Sequence, residues 1–201
     1  ITAQNPANAV IDTHVVTITP GPLATIVITP SPITVTVGTQ QTFTASGADA
    51  YGNSVSINPT WTTDVGTMTS NILTAQTTLA SGGYVTATVG SINGSAIVNI
   101  GVGPLSQLVI TPVMVTLAMR QTQPFSAAGF DVYGNGIADL PLTWHVTQPD
   151  AGTIDATGFF TAGIKAGEYP GAVVVSSGLL NDTADVTVNW PYQTYLPVVL
   201  R

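Results

Sequence analysis

The chain has 201 residues, of which 44% are apolar and only 6% charged; three Lys and Arg face ten Asp and Glu, giving a net charge of −7 and an isoelectric point near 4.1. Three cations cannot neutralise a phosphate track, which excludes nucleic acid as a partner and argues against electrostatic docking on anionic membranes. The absence of cysteine excludes disulfides and thiolate metal sites, and no apolar run approaches the roughly 18 residues needed to span a bilayer.

Soluble domains are usually about a quarter charged, so the polar surface here must come from Thr, Ser, Asn and Gln. The first residue is Ile1, with neither an initiator Met nor a tag. The expectation is a mature product whose signal peptide has been removed, or an excerpt of something longer.

A Pro-containing leader, Asn5-Pro-Ala-Asn8, precedes an alternating apolar segment around Val10, Val16 and Ile18. The block Leu23-Ala-Thr-Ile-Val-Ile-Thr-Pro30 then opens a pattern that returns 82 residues later as Leu105-Ser-Gln-Leu-Val-Ile-Thr-Pro112. At the same offset Phe43 meets Phe125, Gly47 meets Gly129, and Asp49-Ala-Tyr-Gly-Asn53 meets Asp131-Val-Tyr-Gly-Asn135; Trp61 answers Trp144 after one inserted residue. A repeat of about 80 to 90 residues is too long for a solenoid unit and suits a small sandwich.

Within each copy the runs alternate with period two and are rich in Val, Ile and Thr, as in Ile33–Val37, Tyr84–Val89 and Asp185–Val188. That alternation predicts strands with one face on a core. Clusters such as Tyr51-Gly-Asn53, Ser81-Gly-Gly83 and Tyr133-Gly-Asn-Gly136 predict turns between them, and no segment carries a helical stripe. The fold predicted is all-β: two tandem Ig-like β-sandwich domains with extra terminal strands. Trp61, Trp144, Phe43 and Phe125 are expected as core anchors, and the tyrosines of the Tyr-Gly-Asn turns, Tyr51 and Tyr133, as framework packing.

The order Ala48–Asn53, Pro59–Thr62, Gly66-Thr67, Leu73–Ala75 and Gly83–Thr88 resembles the bacterial immunoglobulin-like repeats of invasin- and intimin-type surface proteins. The second copy keeps Asp131–Asn135, Leu142-Thr-Trp144, Gly152-Thr153 and Phe160-Thr-Ala162, and departs at Tyr169-Pro-Gly-Ala-Val173. The resemblance covers residues 23–190. It implies a sandwich of secreted or surface proteins, in which such modules serve as spacers, stalks or adhesive tips.

No catalytic constellation is visible. The two histidines, His14 and His145, have no partner that sequence can nominate, so no enzyme activity and no cofactor are expected. Asp49 and Asp131 stand alone before Tyr-Gly-Asn, which suits a side-chain-to-backbone turn better than a calcium loop; Asp139, Asp150 and Asp155 form the least implausible cation group. Asn93-Gly-Ser95 and Asn181-Asp-Thr183 match the glycosylation acceptor pattern.

The ends carry surplus apolar segments. Thr13–Leu23 aligns without a gap on Ser95–Leu105, the close of the first copy plus its linker, so residues 10–20 read as the last strand of a domain the chain lacks. Tyr195–Leu200 stands where another opening strand would begin. An unpaired strand edge is a template for pairing with another chain. The expected organisation is a leader and surplus strand at 1–20, Ig-like domains at 21–103 and 104–190, and a hydrophobic tail at 191–201, with Pro104 stiffening the short linker.

The expected role is a structural subunit of an extracellular filament or cell-surface stalk. Copies would join head to tail by strand addition through Val10, Val16 and Ile18 at one end and Leu196, Val198 and Leu200 at the other. A homopolymer of its own copies is the expected partner, with glycans possible at Asn93 and Asn181 and no membrane insertion. The alternative is an adhesive or carbohydrate-binding Ig-like fragment of a larger secreted protein.

Overall fold

The computed structural model describes residues 17–190 in full and the backbone of residues 2–4 and 10–13. The described residues are strands and connecting turns, with one short 3-10 turn at Pro149–Ala151. The architecture is all-β and Ig-like, and the chain divides into two compact units after Gly101.

Strands β1 (Thr2–Gln4) and β2 (Val10–Thr13) pair antiparallel as a separate two-stranded sheet. The first unit continues with β3 (Leu23–Thr29), β4 (Ile33–Thr36), β5 (Gln40–Thr42), β6 (Thr44–Asp49) and β7 (Ser54–Val55). It closes with β8 (Thr60–Thr63), β9 (Gly66–Thr69), β10 (Ile72–Ala75), β11 (Ala80–Val89) and β12 (Ile92–Gly101).

The second unit repeats this as β13 (Gln107–Thr111), β14 (Met114–Ala118), β15 (Thr122–Pro124), β16 (Ser126–Phe130) and β17 (Gly136–Ile137). It ends with β18 (Thr143–Val146), β19 (Gly152–Ile154), β20 (Phe159–Ala162), β21 (Gly167–Ser177) and β22 (Leu180–Asn189).

The topology is the same in both copies. A four-stranded sheet ordered β4-β12-β11-β8 faces the three-stranded β3-β6-β7 and β5-β10-β9; the second unit has β14-β22-β21-β18, β13-β16-β17 and β15-β20-β19. In each, the leading segment crosses between sheets. β3 pairs antiparallel with β6, and after a cis Thr29-Pro30 bond β4 pairs parallel with the last strand, β12. The same switch occurs at cis Thr111-Pro112, where β14 runs parallel to β22.

Period-two alternation produces the core. Along β12, Ala96, Val98 and Ile100 are buried while Asn93, Ser95 and Ile97 face out. Each unit has its own cluster, built on Phe43, Leu73, Val85 and Val98 in the first and on Phe125, Phe160, Val175 and Val186 in the second. Each large apolar side chain fully withdrawn from water contributes about 1.5–3 kcal/mol before chain entropy is subtracted.

Phe43 and Phe125 are buried, as expected of them. The tryptophans differ from expectation: Trp61 and Trp144 are half-buried, packed against the edge of the cluster from the outermost strands β8 and β18. Both strands lie at the edge of their sheet, and their indoles stay partly open to solvent. The central plugs are Phe43 with Leu73 in one unit and Phe125 with Phe160 in the other, the latter pair edge-to-face at 6.0 Å and 89°.

The repeated Gly47 and Gly129 also acquire a reason. A Cβ at Gly47 would lie 2.6 Å from Ile57 and 2.8 Å from Leu23, and one at Gly129 would overlap Leu140 and Leu105. Absence of a side chain on β6 and β16 leaves room for the first leucine of each copy to pack inward.

Candidate functional site

The most densely bonded polar feature of each unit is the turn after β6 and β16. Asp49 ends β6, Asp131 directly follows β16, and both are buried. Asp49 Oδ1 accepts the backbone N–H groups of Tyr51 and Asn53, both at 2.9 Å. Its Oδ2 accepts the Asn53 side-chain amide at 2.9 Å and the backbone N–H of Gly21 at 2.8 Å.

Asp131 repeats the arrangement. Oδ1 accepts from Tyr133 and Asn135 N–H at 2.9 Å, and Oδ2 from the Asn135 amide and the Gly103 N–H, also at 2.9 Å. The turn residues Gly52 and Gly134 have φ of 82° and 83°, which favours glycine.

Each carboxylate therefore does two things. It closes its own turn, and it pins the segment that leads into β3 or β13. The bonds stabilise the ionised form. The Asn53 amide and the Gly21 N–H, followed by the Asn53 and Tyr51 N–H groups, hold the Asp49 pKa down to about 2 against the opposing effect of burial. For Asp131 burial is the largest single influence and pushes upward. The Gly103 N–H and the Asn135 and Tyr133 donors together outweigh it, and its pKa is also about 2. With donors on both oxygens, neither carboxylate presents a free lone-pair face to a cation.

The turn role read for these aspartates is thus what the structure has. What sequence reasoning missed is the long-range partner. A signal for it was present, since Gly21-Pro-Leu23 and Gly103-Pro-Leu105 recur at the same 82-residue offset.

The tyrosines of these turns correct another expectation. Tyr51 is 91% exposed and Tyr133 48% exposed, so neither is framework packing. Their backbone N–H groups serve the aspartate while the side chains are open to solvent, so the turn itself does not call for tyrosine.

Among the other sequence-selected residues, Val10 lies in β2, whose backbone pairs with β1 of the same chain. Ile18 belongs to no strand and is 89% exposed. Val16 and His14 lie outside the described residues, as do Leu196, Val198 and Leu200. Asn93 and Asn181 are exposed at equivalent positions, one residue into β12 and β22 beyond the hairpin turns.

Of the three aspartates around the Trp144 strand, Asp150 and Asp155 have separate uses. Asp150 pairs with Lys165 at 2.7 Å on the surface, raising the lysine's pKa. Asp155 accepts from the Thr157 hydroxyl and from the Phe159 and Thr157 N–H groups, which lower its pKa. Among the described residues no three acids or histidines converge on one point.

Two copies of one sandwich, each with its leading segment latched by a buried aspartate, define a tandem Ig-like protein. No family model and no curated protein sequence matches the chain. Solved structures do. The Escherichia coli adhesin FdeC aligns over 87% of this chain and 67% of its own, at 20% identity and a TM-score of 0.54. The S-layer protein SbsC aligns over 85% of this chain at 17% identity and a TM-score of 0.43, and this chain spans only 28% of that structure. The Yersinia pseudotuberculosis adhesin InvE aligns over 83% of this chain and 60% of its own, at 14% identity and a TM-score of 0.37. At these identities the likeness is one of fold.

Proposed function

We propose that this chain is a structural segment of an extracellular filament or cell-surface stalk of a bacterium, and not an enzyme. The observation that carries the reading is the latch repeated in both units. In each unit a buried aspartate both closes its turn and holds the leading segment, as a tandem spacer requires, and among the described residues no nucleophile, base and orienting group are brought together. The fold shared with the adhesin FdeC supports a surface setting.

In this reading copies join head to tail through their terminal segments, with Val10, Val16 and Ile18 at one end and Leu196, Val198 and Leu200 at the other. β2 already has β1 on one side, so the joining element in this reading is their two-stranded sheet added to a neighbour, rather than a lone strand. The test is electron microscopy of the purified chain beside a variant lacking residues 1–20. Fibres from the full chain and two folded but unassembled modules from the truncation are expected. Fibres from the truncated chain would remove the N-terminal segment from the mechanism.

A second reading, an adhesive fragment of a larger secreted protein, draws on the outward rings of Tyr51 and Tyr133. Rigid, exposed aromatics on an over-determined turn are the kind of group that anchors recognition. Loss of cell or matrix binding in a Tyr51→Ala, Tyr133→Ala double variant, with fibre formation unchanged, would favour it.

A further inference from the structure

The outer face of the first unit's four-stranded sheet carries a feature that the second unit lacks. Strands β8, β11 and β12 present two rows of side chains on this face. One row is Thr62, Thr86 and Ser95, directly opposite one another in register. The next is Asp64, Tyr84 and Ile97, with Tyr84 opposite Ile97. Thr62, Thr63, Asp64, Tyr84, Thr86 and Ser95 line a shallow groove of about 460 Å³.

The tyrosine is held in place from both sides of its backbone. Its N–H donates to Asp64 Oδ1 at 2.7 Å, and its carbonyl accepts from the Thr63 hydroxyl at 2.8 Å. The ring remains 48% exposed, beside Ile97 at 43%. Strand spacing makes the patch about 10 Å wide across three strands and about 7 Å deep across two rows. That is the footprint of a short oligosaccharide.

We propose that this groove is a binding site for a neutral glycan, with the face of one sugar ring stacked on Tyr84 and Ile97. The ring hydroxyls are met by Thr62, Thr86 and Ser95, and by Asp64 Oδ2, which the Tyr84 N–H leaves uncommitted. An amphipathic ligand with an apolar face and a hydroxyl rim matches an aromatic centre inside a hydroxyl-bearing border.

Charge selects against anionic sugars. Residues 1–101 contain no Lys or Arg and three Asp, so within the first unit an acidic glycan would meet a carboxylate and no lysine or arginine. The fold does not require the groove. In register, the second unit has His145 for Thr62, Val174 for Thr86 and Thr183 for Ser95, and its strand β21 is irregular between Tyr169 and Val173, where the counterpart of Tyr84 would fall; it still builds the same sandwich.

The site sits on the same surface-exposed scaffold as the reading above, yet its test is separate. The purified full-length chain is applied to a printed array of neutral and sialylated glycans. Neutral trisaccharides of glucose, galactose, mannose and N-acetylglucosamine are then titrated by calorimetry.

Binding to at least one neutral series is expected, with none to sialylated members. A loss of roughly tenfold or more is expected in Tyr84→Ala, with retention in Tyr84→Phe and no effect of His145→Ala in the second unit. Tyr84→Phe keeps the ring and so separates lost stacking from lost folding. An array dark for all neutral glycans, or binding unchanged by Tyr84→Ala, would overturn the proposal and leave the structural role untouched. Fibres that fail to form while glycan binding persists would do the reverse.

Discussion

Removing one ring from one core should destabilise one unit and spare the other. Phe43 is fully buried in the first unit's cluster and Phe125 nearly so in the second's, and the two clusters share no residue. Truncating a buried Phe to Ala removes its transfer free energy and leaves a cavity, together costing about 3–5 kcal/mol. Domains of this size are stable by only about 5–15 kcal/mol. At about 4–8 °C per kcal/mol for a domain below 100 residues, Phe43→Ala should lower the first unit's Tm by at least about 12 °C.

Scanning calorimetry of the full chain reads this directly. Phe43→Ala should split off one early transition, and Phe125→Ala should displace the other. Phe125 also loses its edge-to-face contact with Phe160, about 0.5–1.5 kcal/mol beyond area burial, so its variant should suffer at least as much. A single transition that moves equally in both variants would refute the reasoning, because it would mean the two cores do not melt separately.

Acid should loosen both units through the latches. The folded pKa of Asp49 and Asp131 is about 2 against an ordinary 3.8, so their stabilisation is fully present above pH 4 and lost as pH falls towards 2. Asp49→Asn and Asp131→Asn should lower the urea midpoint at pH 7, and the difference from the parent should shrink near pH 2. A gap that stayed constant with pH would exclude the ionised carboxylate as its source. Gly47→Val should cost roughly 1–3 kcal/mol by driving a side chain into Ile57 and Leu23. Chemical denaturation checks this, with Gly136→Ala, where a Cβ meets open space, as the near-neutral control. Asn53→Ala should open the first turn to amide exchange at Tyr51 and Gly21 while leaving the Gly103 amide protected.

Much of the fold was legible in the chain because its signals are local. Period-two runs of Val, Ile and Thr separated by Gly and Asn specify strands and turns residue by residue. The 82-residue repeat fixed that whatever fold one copy took, the other would share. The buried positions of Phe43 and Phe125, and the turn role of Asp49 and Asp131, follow from such patterns.

Which strand meets which, and what each side chain touches, depended on pairings between residues far apart in sequence, and local propensity is silent on those. Gly21 reaches Asp49 across 28 residues, so the aspartate's second role as a latch appeared only when β3 lay beside β6. Trp61 and Trp144 are half-buried because β8 and β18 took the edge of their sheet, an outcome of strand order and not of the indole's hydrophobicity. Tyr51 and Tyr133 face water because the turn consumes only their backbone. The Tyr84 groove exists because register places Thr62, Thr86 and Ser95 in one row across three strands. Sequence determined the elements and their repetition; tertiary pairing decided which surfaces those elements left open.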